Sequence, residues 1–357
     1  MNIPSVYRKA VGGFIIPPRS FFQMFISASQ GAFSLIDEKS RETFINSLEK
    51  GIINESVIAQ ASSGPMLMLS LFNDLQNPLF KKHDFDATQF LEGAGPALEN
   101  YHNLSGALEN ELHDIYAKKK ADVDGSNEDS GEEKDATKIE MKGLSEAEKD
   151  AVSSTISMIQ KHLSPNQKIA SAVLEHDWTE VAKKDPDSVA GQLSQMLTEQ
   201  LFGHFQLSAK TAFLLHSRAG QLKFDEGSCT VNNVALLSAR AFRCKELPLE
   251  ESNEENFDSS GPRYEILDDD DAEGDEQESD VAAQLEVLYD VTSNFSIDRD
   301  TEASDDNESQ KGDEPTEMDT TVVSVAVLEG FLNGGPEGEL RWKLALHRPA
   351  FEFPGMQ

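Results

Sequence analysis

The hydrophobic period changes partway along the chain, and this change constrains the fold more than any other feature of the sequence. Up to about residue 208, apolar residues recur at three- and four-residue steps, which is typical of amphipathic helices. Beyond that point apolar and polar residues alternate, as in strands with one buried face. We therefore expect an α+β domain, cone-like, in which N-terminal helices pack on a curved antiparallel sheet of about four strands.

Turn and cap signals divide the helical half. Gly64-Pro65 is expected to break a helix that begins at Glu55, and the longest helix is predicted to start at Pro96. Ser145 with Glu148 forms a capping box, Ser164-Pro165 begins a further helix, and Asp187 or Ser188 begins the last one. The predicted apolar stripes of the longest and the last helix are Leu98, Tyr101, Leu104, Leu108, Leu112, Ile115 and Val189, Leu193, Met196, Leu197, Leu201, Phe205.

Four segments of the second half carry strand patterns. Residues 230–242 favour a strand, with a helix as the alternative, and residues 321–332 form a β-branched run that is apolar on both faces. The turn sequence Asn333-Gly334-Gly335-Pro336 predicts an antiparallel hairpin between the last two strands. Apolar residues recur at every second position, with polar residues between most of them, in two segments: Leu285, Val287, Tyr289, Val291 and Leu340, Trp342, Leu344, Leu346. From these patterns, the predicted core of the cone includes Tyr289, Val325, Trp342 and Leu344.

The charge of the chain is concentrated in three segments. The 357 residues include 64 acids and 31 bases, a formal net charge of −33. Residues 121–150 hold 11 acids and 4 bases, residues 246–280 hold 16 and 1, and residues 298–319 hold 10 and 2, so these segments carry −30 of the −33. Because long insertions in loops cost little closure entropy, we interpret them as disordered acidic insertions in the loops of a nearly neutral domain.

The first 36 residues contain no acid, and Arg8, Lys9 and Arg19 make them basic. This composition is that of an organellar transit peptide. Alternatively, the apolar residues 21–36 lie in a membrane interface, or residues 1–54 form an ordinary N-terminal arm before a single domain over residues 55–357. No run of apolar residues is long enough to predict a transmembrane span.

The remaining composition argues against several kinds of ligand. Cys229 and Cys244 are the only cysteines, so neither a disulfide scaffold nor a zinc site is expected, and the eight histidines lack metal-ligand spacing. The acidic balance argues against direct nucleic-acid binding, because phosphate contacts require clustered positive charge. No cofactor motif or catalytic signature is present, so no cofactor is predicted and the chain is expected to be non-catalytic.

One enzymatic alternative stays open at this stage. Small cone folds can hold acid–base chemistry in the cavity between helices and sheet, and here Tyr289, Asp290, His176 or His204 are the side chains that would line it. A closed polar cavity is what this alternative requires.

A basic strip is predicted on the last strand, formed by Arg341, Lys343, His347 and Arg348. These residues alternate with apolar ones, so we expect them on the exposed face. The strip is interpreted either as a solvated face or as a docking surface for a partner.

Two segments resemble a known family. Residues 86–94, with the sequence DATQFLEGA followed by Ala97-Leu98-Glu99, resemble the opening helix of the domain shared by the mitochondrial import-motor tether, a mitoribosomal large-subunit protein and the inner-membrane ribosome receptor. Leu340-Arg341-Trp342-Lys343-Leu344, with Leu346 and Arg348, is similar to that domain's last strand. The resemblance covers residues 86–353. The chain departs from it at Gly95-Pro96, which we expect to interrupt the opening helix, and in its acidic segments.

The resemblance implies a non-catalytic cone fold of the nuclear-transport-factor-two type. Its partners would be the import motor or a ribosome and the lipid surface of the inner membrane, with the protein peripheral on the matrix face. The rival hypothesis is a soluble cytoplasmic protein whose acidic segments shield a basic client. The third hypothesis is a small-molecule-binding protein or an acid–base enzyme of the cone fold.

Overall fold

A computed structural model describes most of the chain outside the acidic segments. The described residues are 16, 19–58, 64–125, 167–216, 221–225, 227–247, 263–267, 279–298, 316–335 and 340–350. The predicted capping box at Ser145 and the start of a helix at Ser164-Pro165 lie outside these ranges.

The first half of the described chain is helical, as predicted. The helix that begins at Glu55 is described to Ile58 and a further helix begins at Gly64, while residues 59–63 between them lie outside the described ranges. The described helices are α1 (Phe21–Ser34), α2 (Glu38–Glu49), α3 (Glu55–Ile58), α4 (Gly64–Leu75), α5 (Pro78–Lys82), α6 (Ala87–Gly125), α7 (Gln167–Glu175), α8 (Trp178–Lys184), α9 (Val189–Met196) and α10 (Glu199–His216).

The second half forms a curled antiparallel sheet. Its four longest strands are those that the sequence predicted, and residues 230–242 are a strand rather than a helix. The sheet order is β3-β2-β4-β5-β6, with β1 also pairing with β4. The strands are β1 (Gln221–Phe224), β2 (Thr230–Leu247), β3 (Arg263–Ile266), β4 (Asp280–Asp298), β5 (Thr316–Phe331) and β6 (Lys343–Pro349).

The main core lies between the helices and the concave face of the sheet. Leu285, Val287 and Tyr289 of β4 are fully buried there, and Leu98 and Leu112 of α6 pack into the same cluster. The apolar alternation of β4 and the three- to four-residue stripe of α6 are therefore the two surfaces that meet, which confirms the α+β prediction.

The longest helix does not start at Pro96. Helix α6 begins at Ala87 and continues through Pro96, although proline removes the bond to the carbonyl four residues back and costs about 3 kcal/mol in a helix interior. Phe90, Ala94 and Leu98 are all buried in the main core on either side of Pro96. We infer that burial of this face offsets the lost hydrogen bond, so the expected interruption was wrong.

The predicted last helix is split in two. Its cap at Ser188 is as expected, but α9 ends at Met196 and α10 begins at Glu199. The amide of Thr198 donates to the carbonyl oxygen of Leu344 at 2.9 Å, and Leu197 forms a parallel bridge with Leu344. Because this backbone pairs with β6, it cannot also continue the helix.

Parts of the acidic segments are ordered elements, which corrects the prediction that they are disordered throughout. Helix α6 extends into the first segment, and β5 begins within the third. Strand β3 lies inside the second, where Arg263-Tyr264-Glu265-Ile266 pairs with β2 and Tyr264 packs 5.3 Å from the Phe331 ring. The average charge of the segment concealed this short alternating sequence.

The predicted N-terminal arm is part of the folded body from Arg19 onward. Helix α1 packs on α4, with Ser27, Ala28 and Gly31 buried in the contact. Ile16 is also buried, in a small second cluster with Cys244 and Ala282. Ile16 and residues 19–54 therefore pack against the rest of the described domain.

Candidate functional site

The large apolar side chains of helix α1 face away from the body, whereas most surface helices turn theirs toward the core. The helix begins at a capping box. The backbone N–H of Gln23 donates to Ser20 Oγ at 3.3 Å, and the backbone N–H of Ser20 donates to the side-chain oxygen Oε1 of Gln23 at 2.9 Å. The small residues of the helix face the body and the large ones face outward, which is the reverse of the usual burial of large apolar side chains.

The inner side of α1 fits only small residues. A Cβ atom at Gly31 would lie 2.2 Å from the Leu69 carbonyl oxygen of α4, so the two backbones are in close contact there. The Ser27 hydroxyl donates to Asp74 Oδ1 at 2.9 Å. This close approach fixes which side of α1 is turned away from the body.

The outer side of α1 is strongly exposed. Phe22 and Phe33, which are three helical turns apart on one line of the helix, are 68% and 72% exposed. We define the aromatic face as Phe21, Phe22, Phe25, Ile26, Phe33 and Ile36, whose exposed fractions lie between 42% and 75%. Single exposed apolar residues are common, but six within residues 21–36 are typical of an interaction surface.

A buried ion pair attaches α1 to the body. The Arg19 guanidinium donates to both carboxylate oxygens of Asp74 at 2.7 Å and to the Ser70 hydroxyl at 2.8 Å. Burial raises the pKa of the Asp74 carboxyl, while the hydrogen bonds from Arg19 and Ser27 oppose that rise. At the other end of the helix, Arg41 donates to the carbonyl oxygen of Ile36 at 3.2 Å.

The predicted basic strip is not one surface. A bulge in β6 leaves Ala345 without a partner residue on β5, so Leu344 pairs with Leu328 and Leu346 with Val327. This shift of one residue turns His347 to the concave face, where it contacts Tyr101 and His102. Arg341 is exposed, Lys343 is half-buried opposite Glu329, and Arg348 lies 3.8 Å from Glu286.

Three of the four predicted core residues contact the main core. Tyr289 and Leu344 are buried in it, and Trp342 is half-buried against Phe90 and Phe85, with ring centroids 5.1 and 6.2 Å apart. Val325 is buried but lies on the opposite face, because it pairs with Leu288 while Ala326 and Ser324 point toward the helices. Because the run in β5 is apolar at successive positions, the sequence did not show which of its residues face the helices.

Two histidines and two tyrosines form a cluster between α6 and the sheet. His102 Nε2 lies 2.9 Å from Tyr289 Oη, and His347 Nδ1 lies 3.4 Å from Tyr101 Oη. Burial lowers the pKa of His102 to about 3 and that of His347 to about 4, and it raises the pKa of both tyrosines. All four groups are therefore neutral at pH 7.

A small crevice lies beside His102 of the histidine–tyrosine cluster. The crevice beside it, lined in part by His102, Asn103 and Phe224, has a volume of about 10 Å³. That volume accommodates about one water molecule. A larger surface crevice of about 570 Å³ lies at Leu48, Ile53 and Asn54, and none of the histidines or tyrosines of the cluster lines it.

The residues of the enzymatic alternative do not come together. Only Tyr289 lies in the cluster. Asp290 accepts a hydrogen bond from Asn233 Nδ2 at 2.6 Å in an exposed position, His176 lies 3.1 Å from Glu111 Oε1, and His204 is exposed on α10. Sequence reasoning placed Tyr101 in the apolar stripe of α6, which indicated burial but not its polar contact with His347, and it did not single out His102.

The described residues offer no metal site, since no three His, Cys, Asp or Glu side chains within them are grouped to hold an ion. Within the same residues, every helix is too short or too polar to cross a membrane. Comparison of the chain with family models, curated proteins and solved structures gave no match. The family resemblance of residues 86–94 and 340–348 stays a proposal.

Acidification is expected to destabilise the fold through the histidine cluster. Both histidine pKa values lie below the value near 6.5 of an unfolded chain, so the neutral rings contribute stability that is present above pH 6.5 and is lost as the pH falls toward 4. At pH 5 the loss is about 2 kcal/mol for each histidine. Urea unfolding at pH 7 and pH 5 measures it.

The matched variants separate this effect from that of the many carboxylates. The variant His102→Gln/His347→Gln should lose less stability between pH 7 and pH 5 than the wild type, while His204→Gln, at an exposed position, should behave as the wild type does. An equal pH dependence in all three proteins would contradict the assignment.

Proposed function

We propose that this protein is a non-catalytic tether that docks on a membrane surface through the aromatic face of α1. The observation that supports the proposal is the inverted burial of this helix, with Ser27, Ala28 and Gly31 against the body and the aromatic face exposed. The crevice beside His102, with a volume of about 10 Å³, is too small for a substrate, and this supports a non-catalytic role.

Helix α1 is better suited to lying in the interface of a membrane than to crossing the bilayer. Helix α1 has 14 residues and is about 21 Å long, shorter than the hydrocarbon core of about 30 Å. A helix of this kind lies in the plane of the interface with its apolar side inserted. The acid-free first 36 residues, with Arg8 and Lys9, favour an anionic lipid surface.

We further propose the mitochondrion as the location and the import motor or a ribosome as the complex that is tethered. The basic, acid-free N-terminus supports the location, and the resemblance of residues 86–94 and 340–348 supports the partner. Ile16 is 1% exposed in contact with the sheet, so a removable targeting segment would be confined to the first fifteen residues. A fluorescent reporter fused to residues 1–40 tests the location, and a diffuse cytosolic signal would contradict it.

Vesicle flotation tests the docking. The full chain is expected to float with phosphatidylcholine vesicles that contain phosphatidylserine, and to float less with phosphatidylcholine alone. Adding about 1 M salt should weaken binding without abolishing it, because salt screens the charges but not the apolar insertion. Protein that stays in the dense fraction with both vesicles would exclude membrane docking.

A further inference from the structure

Three polar side chains form a buried row across the outer face of the sheet. Arg240 of β2, Gln284 of β4 and Glu329 of β5 are direct neighbours in the strand pairing and are 7%, 6% and 3% exposed. We define these three residues as the polar row. Because successive residues of a strand point to opposite faces, the row lies on the face opposite to Leu285 and the main core. Burial of polar groups is costly unless they are hydrogen-bonded, so the partners of the row indicate what it does.

The polar row binds the backbone of Ile16 through both of its polar groups. The Ile16 amide donates to Glu329 Oε1 at 3.2 Å, and Gln284 Nε2 donates to the Ile16 carbonyl oxygen at 2.7 Å. Gln284 Nε2 also donates to Glu329 Oε1 at 2.8 Å, and Gln284 Oε1 accepts from Arg240. Release of Ile16 would therefore remove one bond from each of two buried side chains, Gln284 and Glu329.

The side chain of Ile16 fills an apolar site beside the polar row. It is 1% exposed and clusters with Ala282 and Cys244, and the partly buried rings of Tyr264 and Phe331 pack against the same cluster. One residue near the N-terminus is thus held both by backbone hydrogen bonds and by burial of its side chain. The strands that hold it, β4 and β5, lie in the middle of the sheet order.

This contact lies close to the ion pair that attaches α1. Ile16 and Arg19 are three residues apart, so their Cα atoms lie within about 11 Å of each other. The pKa of Arg240 is lowered to about 10, mainly by burial and also by the charge of Arg19, while the charges of Asp74 and Glu329 oppose the shift. The ion pair and the polar row therefore form one region at the N-terminal end of α1.

We propose that Ile16 and the polar row form a latch, which fixes the membrane-docking helix α1 to the central strands of the sheet. The proposal rests on the membrane docking of α1 proposed above. The contact with α4 supports the small face of α1, whereas the latch connects its N-terminal end to β4 and β5. A body that is attached in this way keeps one orientation relative to the docked helix. Opening of α1 away from the body requires release of Ile16.

Hydrogen exchange of the α1 amides in the full chain, measured without membranes, tests the latch. Ile16→Ala removes the buried side chain and leaves the polar row unchanged. We expect the α1 amides to exchange about 30-fold faster or more, since truncation of a buried isoleucine lowers the free energy of opening accordingly. Ile16→Val, which keeps most of the side chain, should show a small part of this increase. The matched control Ile36→Ala, at a position that is 75% exposed, should show none.

A second variant tests the hydrogen bonds from the side of the sheet. Gln284→Met keeps an unbranched side chain but removes the donor to the Ile16 carbonyl oxygen. The α1 amides should exchange about tenfold faster, which is the effect of about one lost hydrogen bond. Gln192→Met makes the same replacement at an exposed position of α9 and should leave exchange in α1 unchanged. Circular dichroism verifies that each variant is folded, and Ile16→Ala keeps the test complete if Gln284→Met is not.

A variant of the main core separates the latch from general loss of stability. Leu112→Ala, at a fully buried position of α6, should speed exchange in α6 and leave exchange in α1 unchanged, because α1 opens without unfolding of the core. Equal acceleration of both helices by Leu112→Ala would overturn the proposal, since α1 would then open only when the whole domain unfolds. Unchanged α1 exchange in Ile16→Ala would overturn it too.

Vesicle flotation distinguishes failure of the latch from failure of membrane docking. Ile16→Ala leaves the aromatic face intact and should float with anionic vesicles as the wild type does. A wild type that does not float would contradict the docking, whatever the exchange rates are. A wild type that floats, together with unchanged α1 exchange in Ile16→Ala, would contradict the latch alone.

Discussion

Replacing Phe22 and Phe33 with serine is expected to release the protein from anionic vesicles. The two side chains are 68% and 72% exposed, so in solution they are already in contact with water and the exchange costs the fold little. Insertion into a membrane interface would bury both, and burial of a phenylalanine side chain contributes about 1.5–3 kcal/mol. Two such losses weaken membrane partitioning by about 100-fold or more. Vesicle flotation or sedimentation measures this change.

The control for this variant exchanges two other exposed apolar residues. Val189→Ser/Leu340→Ser makes the same kind of replacement outside α1, at positions that are 36% and 49% exposed. This variant should bind vesicles as the wild type does. If both double variants lost binding equally, or if the phenylalanine variant kept it, the aromatic face would not be the membrane contact.

Replacing Asp74 with leucine is expected to destabilise the protein by about 3–5 kcal/mol, because it leaves the Arg19 guanidinium partly buried without its partner. The Ser27 hydroxyl would lose its acceptor on Asp74 in the same change. Arg19 keeps 17% of its side chain exposed, so the lower end of this range is expected. Urea unfolding followed by circular dichroism gives the free energy of unfolding.

A double-mutant cycle distinguishes the ion pair from general packing. Arg19→Met/Asp74→Leu replaces both charges with apolar groups and should recover most of the lost stability. Asp114→Leu, at an exposed position of α6, should change the stability by no more than about 0.5 kcal/mol. If the destabilisation of the double variant equalled the sum of those of Arg19→Met alone and Asp74→Leu alone, the two side chains would not be coupled.

Periodicity predicted the elements with long repeating patterns. The stripe of α6 and the alternation of β4 are visible in the sequence because each element buries one continuous face, and that burial dictates which residues repeat. Strand β3 has only four residues, too few for a pattern to stand out within an acidic segment. The start of α6 before Pro96 was missed because local proline chemistry was outweighed by distant packing.

The sequence likewise predicted some features of the candidate surfaces and not others. An apolar N-terminal segment could be read from the sequence, and an interfacial helix was one of its interpretations. That its small face is buried and its aromatic face exposed depends on the contact of Gly31 with Leu69, which no local pattern encodes. The expected exposed position of His347 was wrong for a related reason, since the bulge at Ala345 reverses the facing of every later residue in β6.

The sequence by itself determined the fold class, the order of helices and strands, and the concentration of charge in three segments. These follow from local periodicity and composition, which act along the chain. Only the tertiary structure decided which faces are covered and where His347 and Val325 point. Those properties depend on contacts between residues far apart in sequence, such as Arg19 with Asp74 and Thr198 with Leu344. Local periodicity and composition do not reveal which distant residues will be in contact.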